Sequence, residues 1–163
     1  MSALLLPINP IDASLEPAVL AMNNEHAREL SWLEPAEFTR LVGQAFFARR
    51  IGEVEAFMLG FDHGADYHSP NYLWFRERYP RFAYVDRIAV ASHARGRGHA
   101  RRLYEAFFDH VRAAGHDIVA CEVNLDPPNP GSLAFHAALG FEDVGTASIY
   151  GGKRTVRYFI RRL

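Results

Sequence analysis

The sequence predicts an α/β fold: a single domain over residues 1–163, built on a mixed, mostly antiparallel twisted sheet flanked by helices. Two observations predict this class. Strand–helix–strand crossovers occur in the second half of the chain, and hairpin patterns lie on both sides of them. With 163 residues and 49% apolar composition, the chain is long enough to bury one core.

The first third of the chain predicts an edge strand, two helices and a hairpin. A short strand begins at Ile8, and a helix follows towards Arg28 with apolar residues every three or four positions. A second helix starts near Pro35, because proline is well tolerated in a first turn. Segments 45–50 and 54–61 then form two strands joined by a tight Gly-Glu turn.

The segment 62–80 is rich in polar and aromatic residues and too long for a plain turn, so it predicts a loop with a short helix. Two interpretations stay open. The segment contacts a substrate, or it covers one flank of the core and its aromatic side chains fill space. On the first interpretation, Tyr72 and Trp74 are substrate-binding residues, together with Asn24 from the first helix.

The second half of the chain alternates strands and helices. Glycines at 115 and 140 end the two helices, and Gly151 with Gly152 joins the last two strands. The predicted elements are a strand 83–90, a helix 98–114, a strand 118–124, a helix 130–139 and strands 141–146 and 155–160.

Composition limits the classes of function. A formal net charge of −1 argues against a nucleic-acid-binding surface, although 17 of the 18 basic residues are arginine. We expect Cys121, the single cysteine, to be a small core residue, and no Cys/His spacing resembles a metal site. The chain shows neither a leader-like start nor an apolar run of membrane-spanning length. These features favour a cytoplasmic protein without metal, nucleic-acid or membrane partners.

The turn 95–100 carries the strongest functional signal. A strand and a short loop precede it, and an amphipathic helix follows, so the unpaired N–H groups of the helix start point at the turn. Gly96 and Gly98 allow a ligand to approach the backbone closely. The layout predicts binding of a phosphorylated ligand.

Two sequence blocks resemble the hallmarks of the GNAT superfamily, the acyl-coenzyme A-dependent N-acyltransferases. The pattern Arg95-x-x-Gly98-x-Ala100 is similar to its pyrophosphate-binding signature. About thirty residues later, an Asn129-initiated helix ends in Gly-Phe at Phe141, like the second hallmark. The two blocks occur in the order that the family shows.

The resemblance implies acetyl-CoA as the cofactor. Main-chain groups of the strand at Ile88, Ala89 and Val90 are expected to bind the pantetheine arm and the thioester, and the turn to bind the pyrophosphate. The expected cofactor-binding residues of the turn and of the later helix are Arg95, Gly96, Arg97, Gly98, His99, Ala100, Asn129, Ser132, Phe135 and His136.

Two carboxylates are candidates for the catalytic base. Strand alternation places Asp86 on the same face as Ile88, and relatives often keep a base there. Glu122 interrupts an otherwise apolar strand, where a charge is costly unless it is paired or functional. The alternative for each is a structural ion pair, for example with Arg87.

His136 occupies the position, four residues before the Gly-Phe, where the family usually has a tyrosine that serves the departing thiolate. With Asn129 and Ser132 it forms a polar stripe on an apolar helix. A cofactor lying along the helix explains the stripe, and exposure of the stripe to solvent is the alternative.

The resemblance implies an N-acetyltransferase that moves an acetyl group from acetyl-CoA to a primary amine of a small molecule or peptide by direct attack. A catalytically silent acyl-CoA-binding module is the alternative. A dinucleotide-binding protein is a third interpretation, weakened because the third glycine of G-x-G-x-x-G is replaced by Arg101. A homodimer is common in such proteins, and the sequence does not show its interface.

Overall fold

The computed structural model describes residues 5–126 and 128–163, and within them a seven-stranded sheet accompanied by helices. The strands are β1 Ile8–Pro10, β2 Phe47–Ile51, β3 Ala56–Asp62, β4 Ala83–Val90, β5 Ile118–Asp126, β6 Glu142–Ile149 and β7 Arg154–Arg162. The α-helices are α1 Glu16–Glu25, α2 Ala27–Leu30, α3 Pro35–Gln44, α4 Pro70–Arg76, α5 His99–Ala113 and α6 Pro130–Ala138.

The strand order is β1-β2-β3-β4-β5-β7-β6. Pairing is antiparallel between β1 and β2, β2 and β3, β5 and β7, and β6 and β7. Strand β4 pairs with β5 in parallel, through Ala83 opposite Val119 and Tyr84 opposite Ala120. The predicted mixed, mostly antiparallel sheet with flanking helices is therefore confirmed.

The chain forms two compact units. The first unit contains the residues up to Phe61 together with Val85–His110, and the second contains Asp62–Tyr84 and Val111–Leu163. Strand β4 contributes residues to both. A single domain over 1–163 stays a prediction.

The core of the first unit forms around the apolar stripe of α5. Leu103 and Phe107 are fully buried. The Phe107 ring packs edge-on against Phe47 at 5.1 Å and against Phe46 at 6.4 Å between ring centres. His110 continues the stripe, and its Nε2 lies 3.0 Å from the Phe46 carbonyl oxygen. The spacing read from the sequence thus defines the buried face of this helix.

The core of the second unit is aromatic. The predicted loop with a short helix is confirmed, because α4 lies inside the 62–80 segment and starts where Ser69 Oγ accepts the Tyr72 N–H at 3.2 Å. Phe75 is fully buried and packs against Tyr84 at 5.9 Å and Tyr158 at 5.2 Å between ring centres. Most aromatic side chains of α4 therefore build the core of this unit.

The first helix differs from the prediction. The periodicity predicted one helix towards Arg28, but α1 ends at Glu25 and α2 follows after His26. The backbone N–H of His26 donates to the Met22 carbonyl at 3.3 Å, and the His26 ring Nδ1 lies 2.8 Å from the same oxygen. The His26 side chain thus competes with its own backbone for the Met22 carbonyl oxygen. The spacing of apolar residues in the sequence does not predict this competition.

Trp74 of α4 packs tightly against β6 and β7. Its ring stacks on Tyr158 with centres 4.1 Å apart and planes at 19°. A Cβ atom added to Gly145 would lie 2.8 Å from Trp74 Cζ2, closer than side-chain carbons approach one another. The indole thus occupies space that only a glycine at position 145 leaves open.

We predict that Gly145→Ala destabilises the protein by about 1–3 kcal/mol, because the new methyl group overpacks the indole. Urea unfolding measures the effect, and Gly43→Ala is the matched control. A Cβ at Gly43 meets no atom within 4 Å, and alanine suits the helix α3, so the control should be neutral or slightly stabilising. Adding Trp74→Ala to Gly145→Ala should recover part of the loss relative to the sum of the single changes. Strict additivity would show that the two residues do not compete for space.

Candidate functional site

The turn between β4 and α5 exposes its backbone. A short 3₁₀ turn, Ser92–Ala94, leads into it, and Gly96 and Gly98 have φ of +76° and +78°. A Cβ at either glycine would meet no atom within 4 Å, so open space lies beside the backbone just before the 15-residue helix α5. Arg95 and Arg97 are exposed in the same turn. This arrangement fits an anion with several oxygen atoms.

His99, the first residue of α5, lies beneath the turn. Its side chain is 7% exposed, and neither ring nitrogen has a hydrogen-bond partner within the described part of the chain. Burial, followed by the nearby Arg102 charge, lowers the pKa of His99 below 6.5. Ala100 is half-buried. The His99 ring is therefore uncharged near neutral pH. Its backbone N–H belongs to the first turn of α5, next to the glycine turn.

The end of β4 is fixed to the β2–β3 turn. Ala91 N–H donates to the Glu55 carbonyl at 2.9 Å, and the Glu55 carboxylate lies 2.9 Å from His93 Nε2. In the preceding strand, Ile88 and Val90 are half-buried while Ala89 is buried. Ile88 and Val90 are therefore less buried than Ala89 between them, as alternation along the strand predicts.

Asp86 is engaged in a buried ion pair in the first unit. The Arg87 Nε donates to Asp86 Oδ2 at 2.7 Å, and the two side chains are 7% and 4% exposed. Arg87 Nη1 also donates to Asn23 Oδ1 at 3.0 Å, and Asn23 is fully buried on α1. Asp86 thus forms the structural ion pair with Arg87 that the sequence left open as an alternative.

Glu122 is surrounded by polar hydroxyl and amide groups in the second unit. The Tyr84 hydroxyl lies 2.9 Å from Oε1 and 2.7 Å from Oε2, and Asn71 Nδ2 donates to Oε1 at 3.0 Å. Tyr158 donates its hydroxyl proton to Asn71 Oδ1 at 2.8 Å. We call Asn71, Tyr84, Glu122 and Tyr158 the Glu122 network.

The network also affects the phenol at its far end. Burial, then the negative charge of Glu122, raises the pKa of Tyr158 to about 12. Tyr158 therefore stays protonated and keeps donating over the whole neutral range. The Tyr84 hydroxyl and the Asn71 amide therefore both direct donors at the Glu122 carboxylate.

The predicted substrate-binding residues have different environments. Tyr72 is fully buried, and its hydroxyl donates to the Asp62 carbonyl at 2.7 Å. Both polar atoms of the Asn24 side chain bind the backbone of Leu33, at 3.0 and 3.1 Å. Trp74 is half-buried, with its ring between Tyr158 and the Arg78 guanidinium, which lies 3.9 Å from the ring centre. Direct contact of the three with a substrate stays a prediction.

The polar stripe of α6 is partly buried. Asn129 Oδ1 accepts the Ser132 N–H at 3.3 Å and thereby starts the helix, and Phe135 is half-buried. His136 is 6% exposed, and its Nδ1 lies 2.7 Å from the Ser132 carbonyl oxygen. Because a carbonyl only accepts, Nδ1 carries the proton. At His136 the alternative of a solvent-facing stripe does not hold.

Sequence reasoning anticipated Arg87 as an ion-pair partner, but it did not anticipate Tyr84 and Asn71 as partners of Glu122 or Asn23 as a partner of Arg87. Tyr84 had a signal, since it lies on the same strand face as Asp86. Asn23 and Asn71 had none, because they are 64 and 51 residues from Arg87 and Glu122 in the chain. Among the described residues, no group of His, Cys, Asp and Glu side chains is arranged to hold a metal ion. No helix in that part of the chain is long and apolar enough to span a membrane.

Burial lowers the pKa of His136 below 6.5, while its bond to the Ser132 carbonyl partly opposes the shift. A histidine with a lowered pKa takes up its proton less readily in the folded state than in the unfolded chain. Its contribution to stability is therefore complete above about pH 6.5 and is lost as the pH falls through that value towards the folded pKa.

We predict that the free energy of unfolding decreases between pH 7.5 and 5.5, and that His136→Phe decreases less over the same interval. Urea unfolding at each pH measures the difference, and NMR titration of the His136 ring measures its pKa directly. A His136 pKa at or above 6.5 in the folded protein would contradict the buried, neutral assignment.

Comparison with known proteins gives the family. The model of the acetyltransferase (GNAT) family matches residues 17–141. L-2,4-diaminobutyric acid acetyltransferase of Wolinella succinogenes is 30% identical over 107 residues, which are 63% of this chain and 54% of that protein. The protein of the same name from Nocardia farcinica is 32% identical over 89 residues, 55% of this chain and 40% of that protein. The chain thus spans about half the length of the curated relatives it matches.

A solved structure has the same fold. The NatC complex bound to Gag peptide and CoA contains a chain that superposes with a TM-score of 0.76 at 15% identity, covering 98% of this chain and 99% of that one. The likeness in structure supports the fold, and the family match supplies the classification. The chain belongs to the GNAT family of acetyltransferases.

Proposed function

We propose that the protein is a cytoplasmic N-acetyltransferase that moves an acetyl group from acetyl-CoA to a primary amine of a small molecule or peptide. The observation that carries the proposal is the open glycine turn before α5, in a chain that the GNAT family model matches over residues 17–141. A homodimer, and independence of nucleic acid and membranes, stay predictions from the sequence.

The residues present fit the cofactor. Open space beside Gly96 and Gly98 leaves room for a pyrophosphate against the backbone N–H groups, and Arg95 and Arg97 are exposed next to it. The backbone of Ile88–Val90 would orient the acyl arm. Further contacts would come from Ala100 and His99 in the turn and from Asn129, Ser132, Phe135 and His136 on α6. When bound, acetyl-CoA supplies the acetyl group as an activated thioester.

Glu122 is the better candidate for the base. A substrate amine is mostly protonated near neutral pH, so a group must accept its proton before the nitrogen can attack. The Asp86 carboxylate is 4% exposed and bonded to the Arg87 guanidinium at 2.7 Å, so it is already engaged in a buried ion pair. Glu122 is half-buried and accepts hydrogen bonds from Tyr84 and Asn71. We assign proton acceptance to Glu122 and a positioning role to Asp86.

His136 serves the departing thiolate in this scheme. With Nδ1–H donated to the Ser132 carbonyl and a lowered pKa, the neutral ring has no proton on Nε2. In this scheme Nε2 would first take a proton from solvent and then pass it to the departing sulfur. A lowered pKa makes the imidazolium form less readily, but once formed it is a stronger acid and gives its proton to the thiolate more easily.

The acceptor is proposed to be a small amine. The two relatives named for L-2,4-diaminobutyric acid support this class. Trp74 stays a predicted substrate-binding residue, although Tyr158 and Arg78 lie against its ring. Tyr72 and Asn24, whose polar atoms bind the backbone, would shape the pocket through the segments they fix.

We predict that Gly98→Val abolishes measurable binding of CoA, because a β-branched side chain fills the open space and resists a φ of +78°. Gly151→Val is the matched control. It has a φ of +65° and equal open space, but it lies in the β6–β7 turn, so it should lose stability without losing CoA binding. Calorimetry on the folded variants measures the CoA affinity of Gly98→Val and of the control. Unchanged CoA affinity in Gly98→Val would reject the cofactor site.

We further predict that Glu122→Gln lowers kcat about 10²–10⁴-fold, the usual contribution of general acid–base catalysis, while CoA affinity stays the same. Asp86→Asn should lower kcat less. The test is a thiol-release assay over pH 6–9 with a panel of amines that begins with L-2,4-diaminobutyrate. Near-native kcat for both variants would contradict the proposal that a carboxylate is the catalytic base. Binding of CoA by the wild-type protein without turnover of any amine would support the alternative, a catalytically silent acyl-CoA-binding module.

A further inference from the structure

Three residues form a row across the neighbouring strands β5, β7 and β6. Glu122 on β5 is directly opposite Tyr158 on β7, and Tyr158 is directly opposite Gly145 on β6. Residues that are directly opposite on antiparallel strands project from the same face of the sheet. The row therefore places a carboxylate, a phenol and a position without a side chain next to one another.

Helix α4 contacts this row with two residues of one helix face. Asn71 and Trp74 are three positions apart, a spacing that places both on the same side of a helix. Asn71 Nδ2 donates to Glu122 Oε1 at 3.0 Å, and Asn71 Oδ1 accepts the Tyr158 hydroxyl proton at 2.8 Å. The Trp74 ring stacks on Tyr158 with centres 4.1 Å apart and occupies the space over Gly145. The helix is therefore docked in register with the row.

The direction of the Asn71 amide follows from its two partners. A carboxylate that is ready to accept a proton has only acceptor atoms, so the amide nitrogen faces Glu122 and the amide oxygen faces Tyr158. The phenol is then the donor, and burial with the negative charge of Glu122 raises its pKa to about 12. Arg78 opposes this shift of the Tyr158 pKa, and Tyr150 adds to it. Tyr158 therefore keeps the amide nitrogen directed at Glu122 near neutral pH.

We propose that Asn71 is a positioning residue for the Glu122 carboxylate, and that Tyr158 and Trp74 hold α4 in register for this contact. The inference rests on the proposed role of Glu122 as the base. It gives the segment 62–80 a role besides contact with a substrate or filling of the core, because the segment fixes the orientation of a carboxylate on a distant strand. A base that is oriented before the substrate arrives requires less ordering in the transition state.

The first test measures the contact without any substrate. In isotope-labelled protein, the side-chain amide signal of Asn71 is identified by NMR from its loss in Asn71→Asp. Tyr158→Phe removes the hydroxyl that directs this amide, so the heteronuclear NOE of the amide nitrogen should decrease. An equally ordered Asn71 amide in folded Tyr158→Phe would overturn the directing role of Tyr158.

The matched control is Leu73→Ala. Leu73 is a half-buried residue of the same helix, and two helical positions place its side chain about 200° around the axis from Asn71. The change removes apolar burial but no hydrogen-bonding group. It should lower the stability in urea and leave the order of the Asn71 amide unchanged.

The second test separates positioning from packing, in the thiol-release assay over pH 6–9 with L-2,4-diaminobutyrate first and the amine panel after it. Asn71→Ala should lower kcat about tenfold, the equivalent of one lost hydrogen bond to a carboxylate, with the acetyl-CoA KM unchanged. The acid limb of its kcat profile should move about one unit to higher pH, because a carboxylate that loses a donor holds a proton more tightly. Leu73→Ala should keep the wild-type profile.

Two further variants test the register of the helix. Tyr158→Phe should add little to the kinetic loss in an Asn71→Ala background, since it acts through the same amide. Gly145→Ala removes no polar atom, yet it should move the acid limb in the same direction, because the added methyl group displaces the Trp74 indole. Full additivity in the first case, or a wild-type profile in the second, would overturn the part that Tyr158 and Trp74 have in the proposal.

The remaining outcomes separate the inference from the proposed function. A wild-type kcat profile in folded, active Asn71→Ala overturns the inference alone. An equal shift of the acid limb in Leu73→Ala overturns it as well, because packing of α4 would then explain the effect. No turnover by the wild-type protein with any amine overturns the proposed function and the positioning role of Asn71 with it.

Discussion

A charge on an interior strand must be given partners that replace water, and this requirement organises both units of the protein. Strand β4 carries Asp86 and Arg87, and strand β5 carries Glu122. At Asp86 the partner is a full positive charge in direct contact at 2.7 Å. At Glu122 the identified partners are the Tyr84 hydroxyl and the Asn71 amide. The desolvation cost is thus offset by a charged partner at Asp86 and by uncharged hydrogen-bond donors at Glu122.

The solution at Asp86 has consequences for the local chain. A buried guanidinium has more donors than one carboxylate can accept, and the Asn23 oxygen takes one of them. The remaining amide group of Asn23 then turns towards the backbone of the loop between α2 and α3, at the Ser31 carbonyl. Asn23 on α1 therefore connects to the charged Arg87 on β4 through a hydrogen bond. Because α1 ends at Glu25, the chain can fold back and place Ser31 against Asn23.

Local sequence rules account for much of the fold. The bounds of β4, the start of α4 after Ser69 and the glycine turn before α5 follow from alternation, capping and the conformational freedom of glycine, which act over a few residues. The resemblance of two short blocks to a family then supplied the cofactor and the candidate cofactor-binding residues.

Contacts between distant residues could not be predicted in the same way. Asn71 contacts Glu122, and Asn23 contacts Arg87, only in the folded chain. The spacing of residues along a helix does not indicate which distant residue an asparagine will bind. The break at His26 depends on a side chain that competes for one carbonyl. Strand alternation singled out Asp86, and a charge in an apolar strand singled out Glu122, but their different partners are visible only in the folded chain.

The state of Tyr158 completes that argument. Its pKa is raised to about 12 by burial and then by the charge of Glu122, so the phenol does not ionise near neutral pH. It keeps its donor bond to Asn71, which in turn keeps its amide directed at Glu122. The donors directed at Glu122 are therefore uncharged groups, one of them fixed by a further hydrogen bond, whereas the donor at Asp86 is a charged guanidinium that also holds Asn23.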